Sequence, residues 1–178
     1  MDPLIPLGQP APLFSLTSLD GVLYHLEEWQ GKVLILNFWS SECPLVERTD
    51  RELLSYLPRW GQGIDLWAIA SNADEKDNLM EVIAQRGLPL VLNDPQQQVA
   101  DLYGAVTTPH LFVLDSHKIV RYQGATDDAT VRQRTPTRFY LRQAVEALLA
   151  GRDPKPAQTP PYGCAITRHR PLKEPLVG

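Results

Sequence analysis

The chain predicts an α/β fold with a central sheet of mixed strand direction flanked by helices, an N-terminal hairpin and an extended C-terminal tail. Three observations carry that expectation. Strand-length apolar runs alternate with helix-period segments; the run Val33–Phe38 is followed closely by a segment that Pro44 opens as a helix; and the pattern closes with a strand hairpin and one last helix.

Taken in order, Pro3, Pro6, Pro10 and Pro12 exclude regular helix and central strand from the first dozen residues, which read as an extended lead-in. Leu13–Leu16 and Val22–Leu26 flank Asp20-Gly21, a dipeptide suited to the positive φ of a tight hairpin turn. Val33–Phe38 is apolar and partly β-branched, as expected of a strand covered on both faces. The helix opened by Pro44 carries Leu45, Leu53, Leu54 and Leu57, and Pro58 is expected to help close it. Ile64–Ala70 reads as a strand and Glu75–Arg86 as a helix ended by Gly87. Leu90–Leu92 is a short strand and Gln96–Tyr103 a short helix ended by Gly104. Leu111–Leu114 and Ile119–Tyr122 form a second hairpin, and a helix runs from about Thr137 to Ala150. Beyond Gly151, Pro154, Pro156, Pro160, Pro161 and Pro171 predict a tail without a core of its own. The expected organisation is a domain over residues 1–150 and a tail over 151–178.

A chain of 178 residues, 43 % apolar, supports one sizeable core. A net charge of −4 offers no basic footprint for a phosphate backbone, so no nucleic-acid partner is expected. The longest apolar run, Val33–Trp39, is far short of the roughly 20 residues of a membrane-spanning helix, so no membrane partner is expected either. The opening Met-Asp-Pro-Leu-Ile-Pro lacks the pattern of a secretory signal, which makes a cytoplasmic location the expectation. Two cysteines do not make a disulfide framework. The four histidines, His25, His110, His117 and His169, show no ligand spacing, so neither a metal nor another cofactor is expected.

The chemistry converges on Cys43, which sits where a buried strand ends and a helix begins. Unpaired N–H groups and the positive end of the helix dipole stabilise a thiolate there. Glu42 and Glu47 oppose that shift and Arg48 favours it if its side chain turns back. The competing description is a small buried hydrophobe. Trp39 is either a shield for the thiolate or a core aromatic, and His110 either approaches the thiol or is pointed away by strand alternation.

The segment Asn37-Phe38-Trp39-Ser40 to Cys43-Pro44 resembles the strand-to-helix site of the thioredoxin-like superfamily. Thr107-Thr108-Pro109-His110-Leu111-Phe112-Val113-Leu114-Asp115 resembles its Thr-Pro turn, in which a cis proline faces the reactive cysteine. Asn93-Asp94-Pro95 to Gly104 resembles the inserted segment of the redoxin and peroxiredoxin-like branch, the alkyl hydroperoxide reductase/thiol-specific antioxidant type. The similarity spans about residues 7 to 150 and implies a thioredoxin-like fold, with Thr108, Pro109, Ser40 and Trp39 lining the site. Ser40 matches the Thr or Ser that peroxiredoxins place three residues before their cysteine.

Two departures limit what carries over. The position of the second thioredoxin cysteine is Val46, so no dithiol fits within one helical turn, and Thr108-Pro109-His110 lacks the peroxiredoxin arginine, for which Arg48, Arg121 and Arg132 are unranked substitutes. Tyr162-Gly163-Cys164-Ala165-Ile166 resembles the Gly-Cys-x-Ile ending of a peroxiredoxin-like group, which implies that the tail folds back and offers Cys164 to Cys43 as a resolving thiol. The alternative is that Cys164 merely buries its thiol.

The resemblance implies a thiol-dependent oxidoreductase whose Cys43 thiolate reduces a disulfide or a peroxide, with Cys164 as second thiol. Its partners would be that substrate and a thiol reductant such as a thioredoxin or a small-molecule thiol. The alternative is a non-catalytic redoxin-like domain that binds or senses through a partner protein.

Overall fold

A computed structural model describes residues 5–169; Pro3 and Pro171 lie outside the described residues. The strands are β1 (Ser15–Ser18), β2 (Leu23–His25), β3 (Val33–Trp39), β4 (Ile64–Ala70), β5 (Val91–Asn93), β6 (Thr107–Thr108), β7 (His110–Asp115), β8 (Val120–Gly124) and β9 (Cys164–Ala165). The helices are α1 (Pro44–Trp60), α2 (Leu79–Arg86), α3 (Gln98–Tyr103) and α4 (Tyr140–Leu149). Seven strands make one sheet in the order β2-β1-β5-β4-β3-β7-β8, and β6 pairs separately with β9. β4 is parallel to both β3 and β5, whereas β7 runs antiparallel to β3 and β8. This is the mixed α/β sheet expected from the alternation of elements.

Strand β3 lies between β4 and β7 and is buried at every residue, so its apolar character is what two covered faces require. Its side chains alternate between two cores. Leu34, Leu36 and Phe38 meet Phe112, Tyr103 and Trp29 on one face, while Val33, Ile35 and Trp39 meet Val46, Leu53, Leu111 and Val145 on the other. A one-residue slip would exchange these sets, so register is set by burial on both sides.

The observed helices differ from expectation at their ends, for identifiable reasons. Helix α1 buries Val46, Thr49, Asp50 and Leu53 on one stripe and continues through Pro58 to Trp60. Pro58 lies in the last turn and forfeits one internal bond without stopping the helix; Gly61, at φ +87°, ends it. Helix α2 begins at Leu79 rather than Glu75 because Glu75 is committed elsewhere: its carboxylate accepts from the Ser41 N–H and hydroxyl. Helix α3 begins at Gln98 because Asp94 reaches forward to accept the Val99 and Ala100 N–H groups at 3.2 and 3.0 Å. Helix α4 begins at Tyr140 because Thr137 and Arg138 donate their backbone N–H groups to Asp128.

The proline-rich tail is extended, as expected, and it is integrated into the fold. The Thr159 N–H donates to the Gln123 carbonyl at 3.0 Å and the Gln123 N–H to the Ala157 carbonyl at 3.1 Å, which covers the outer edge of β8. The chain then crosses to β6, and Ile166 enters the core beside Phe38 and Phe112.

Candidate functional site

Cys43 is the N-cap residue of α1, in extended backbone (φ −87°, ψ 118°), with Pro44 at the first helical position. Its carbonyl accepts the N–H groups of Val46 and Glu47 at 3.1 and 3.2 Å, so the helix starts immediately behind the thiol. The residue is 3 % exposed, and its Sγ lies 3.2 Å from the Thr108 carbonyl oxygen. The helix start favours a thiolate; that carbonyl, an acceptor for a thiol proton in the reduced protein, favours the neutral form.

The tail brings Cys164 to Cys43. The two form a disulfide with 6.1 Å between their Cα atoms, across 121 residues of sequence. Strand β9 reaches this position by antiparallel pairing with β6, Thr107 opposite Ala165 and Thr108 opposite Cys164. Gly163 permits the approach, since a Cβ there would overlap the Thr108 carbonyl and the Pro109 nitrogen. The Thr108–Pro109 peptide bond is cis.

Contacts other than the disulfide hold the tail on both sides of Cys164. Upstream, the Thr159 hydroxyl lies 2.7 Å from the Tyr122 hydroxyl and accepts the Ala125 N–H at 3.0 Å. Downstream, the Ile166 N–H donates to Val106 at 3.1 Å and the Ala73 N–H to the Thr167 carbonyl at 3.0 Å. The Thr167 N–H donates to Asn72 Oδ1 at 3.0 Å. Asn72 Nδ2 in turn donates to the hydroxyl of buried Ser40 at 2.9 Å, so one side chain links tail and site loop. The Ser40 hydroxyl also accepts the Glu42 N–H at 3.3 Å.

Trp39 is fully buried and donates from Nε1 to Asp50 Oδ2 at 2.8 Å. Arg86 donates to the same oxygen at 3.1 Å and to the Ser41 carbonyl at 2.8 Å, and its guanidinium lies 5.5 Å from the Trp39 ring centre. Burial pushes Asp50 up to about 6, against the Trp39 and Arg86 hydrogen bonds that pull it down. Asn72, Glu75, Asp50, Arg86 and Thr167 are the residues around the site that the sequence did not disclose. Apart from the Trp39–Asp50 bond, which spans 11 residues, their partners lie 32 or more residues away, beyond any local spacing signal.

His110 does not approach Cys43. Strand alternation turns it to the opposite face, stacked on Phe112 with ring centres 4.8 Å apart, its Nδ1 accepting the Val106 N–H at 3.3 Å. Burial lowers it to about 4, so it is neutral at physiological pH. The arginine substitutes are engaged elsewhere or distant in role: Arg48 forks onto Asp127 at 2.6 and 3.0 Å, Arg121 donates to Asp115 at 2.8 Å, and Arg132 lies on an exposed loop.

A sequence profile of the AhpC/TSA family matches residues 7–123. The chain belongs to the AhpC/TSA family. Among the relatives of this AhpC/TSA protein, the thiol-disulfide oxidoreductase ResA of Geobacillus thermodenitrificans is 33 % identical over 121 residues, covering 66 % of this chain and 68 % of that one. The thiol:disulfide interchange protein DsbE of Escherichia coli K12 is 30 % identical over 126 residues, covering 68 % and 66 %. Two crystal structures, an uncharacterized conserved protein from Geobacillus kaustophilus and a hypothetical protein from Sinorhizobium meliloti 1021, superpose with a TM-score of 0.81 at 30 % identity. Each covers 94 % of this chain, against 94 % and 97 % of their own.

The fold is thus thioredoxin-like. Thiol redox chemistry, rather than binding alone, is the function that the family and the cysteine pair support. The cytoplasmic expectation is corrected: the relatives ResA and DsbE are a thiol-disulfide oxidoreductase and a thiol:disulfide interchange protein, and a disulfide such as Cys43–Cys164 persists in oxidising compartments rather than in the cytosol. That expectation rested on a default, and the redox compartment of a cysteine pair is not encoded in local composition. Among the described residues no helix is long and apolar enough to cross a membrane.

Proposed function

We propose that this AhpC/TSA protein is a thiol–disulfide oxidoreductase in which Cys43 and Cys164 cycle between dithiol and disulfide. Residues 1–150 serve as the body and 151–178 as the arm that carries the second thiol. The observation that carries the reading is the disulfide between a helix-capping cysteine and a tail cysteine held beside it by backbone pairing. In the reducing direction the dithiol gives two electrons to a disulfide substrate and closes the internal disulfide; a thiol reductant, a thioredoxin or a small-molecule thiol, reopens it. Cys43 contributes the thiolate favoured by the helix start, Thr108 and Pro109 pack against it, Ser40 fixes the preceding loop, and Trp39 seals the site from below.

Disulfide exchange is favoured over peroxide reduction because Arg48 is committed to a buried carboxylate and Arg121 to Asp115, leaving neither to polarise a peroxide at Cys43. The test is to equilibrate the protein in glutathione buffers of graded potential, follow the internal disulfide by mass spectrometry, and measure reduction of insulin and consumption of hydrogen peroxide in parallel. Two-electron titration of Cys43 with Cys164 and turnover of insulin support the reading. Peroxide turnover alone, or two thiols that never pair, overturns it.

A further inference from the structure

Cys43 and Cys164 are not equivalent towards the outside. Cys43 is 3 % exposed, capped by the Thr108 carbonyl and packed in the core with Trp39, Val46 and Leu111. Cys164 is partly exposed, lies on a two-residue edge strand, and is followed by exposed Ala165. Thiol–disulfide exchange needs in-line access to the sulfur under attack, so accessibility decides which of the two is used.

The contacts that seat the tail do not depend on the disulfide. The Thr159, Ile166 and Thr167 contacts anchor the tail on both sides of Cys164, and none of them involves sulfur. Ile166 buries its side chain in the core that holds Phe38 and Phe112. A dithiol protein that keeps these contacts keeps the tail seated and Cys43 covered.

Resting on the thiol–disulfide reading above, we propose that Cys164 is the exchange sulfur of this protein, through which electrons enter and leave, and that Cys43 is the internal partner. On reduction, an outside thiolate attacks Cys164 Sγ; a bond forms between the outside sulfur and Sγ of Cys164, the Cys43–Cys164 bond breaks, and its electron pair leaves on Cys43 as thiolate. A second thiol of the reductant then attacks the outside sulfur, releases Cys164 as thiolate and departs as a disulfide, so that two electrons have passed to the pair. With a disulfide substrate the steps reverse. The Cys164 thiolate opens the substrate, and the Cys43 thiolate then attacks Sγ of Cys164 and expels the second substrate thiolate. The order is opposite to one in which the helix-capping cysteine meets the substrate.

The experiment uses full-length Cys43→Ser and Cys164→Ser, reduced, with glutathione disulfide and with insulin as probes, following the mixed disulfide by intact mass spectrometry. Cys43→Ser, which retains Cys164, is expected to form mixed disulfides at least ten times faster than Cys164→Ser, with the larger gap for insulin. Adding Ile166→Ala to Cys164→Ser unseats the tail and is expected to accelerate reaction at Cys43, which shows that cover and not intrinsic reactivity sets the order. Faster labelling of Cys43 in the single variant overturns the inference while leaving the oxidoreductase reading intact. Failure of the unsubstituted protein to form the internal disulfide in the same buffers overturns that reading instead.

Discussion

The Thr108 carbonyl oxygen lies 3.2 Å from Cys43 Sγ, and across the β6–β9 ladder the same residue stands opposite Cys164. One short strand thus both caps the buried sulfur and sets the position of its partner. The cysteine pair is brought together by backbone pairing, so perturbing that pairing is expected to act on the disulfide without touching either sulfur.

Gly163→Ala tests this directly. Its Cβ would meet the carbonyl and carbon of Thr108 and the nitrogen of Pro109, all backbone atoms with little freedom to yield. Overpacking of this kind costs about 1–3 kcal/mol, so the effective concentration of Cys164 at Cys43 is expected to fall by about fivefold to about a hundredfold. Titration of the disulfide against glutathione reads the change; an unaltered midpoint would show that β9 docks without close approach.

Asn72→Ala removes both ends of the bridge between Thr167 and Ser40. Two hydrogen bonds are lost at about 1 kcal/mol each. Amide exchange at Ile166 to Arg168 is expected to accelerate about tenfold or more, with little change in α4. Uniform acceleration across the domain would instead mark a global loss of stability.

Asp50 governs an acid-range effect of definite sign. Its native pKa, raised to about 6, lies above that of an unfolded carboxylate, so the native state holds this proton more tightly. Its contribution to stability is complete below about pH 4 and is lost as pH rises through about 6. Relative to Asp50→Asn, the unsubstituted protein should lose on the order of 2–3 kcal/mol between pH 4 and pH 7 in urea unfolding. Parallel curves for the two proteins would refute the assignment.

His110 acts with the opposite sign. Burial depresses it to about 4, so the unfolded chain binds the proton more readily and stability is lost as pH falls from about 6.5 towards 4. His110→Phe retains the stack on Phe112, leaves the Val106 N–H without its partner at a cost of about 1 kcal/mol, and should abolish this component of the acid slope. Chemical denaturation at pH 4, 5, 6 and 7 measures it. The insulin-reduction rate of His110→Phe at pH 7 should match the unsubstituted protein, since the ring faces away from Cys43.

What the sequence alone determined was local. The Val33–Trp39 run, Pro44 behind Cys43, the Asp20-Gly21 turn, the Gly87 and Gly104 stops and the proline-rich tail are each read within a few residues, because periodicity, φ restriction and capping act between near neighbours. Periodicity extends the helices to residues 75, 96 and 137 for the same reason, and the structure starts them later because Glu75 binds Ser41, Asp94 accepts the first N–H groups of α3, and Asp128 holds the Thr137 and Arg138 N–H groups. Only the tertiary structure decided that Cys164 meets Cys43, that Asn72 ties Ser40 to Thr167, and that Asp50 and Arg86 brace Trp39. These links span 11 to 121 residues, and closing such loops is decided by the sum of many small contacts rather than by any pattern in the chain.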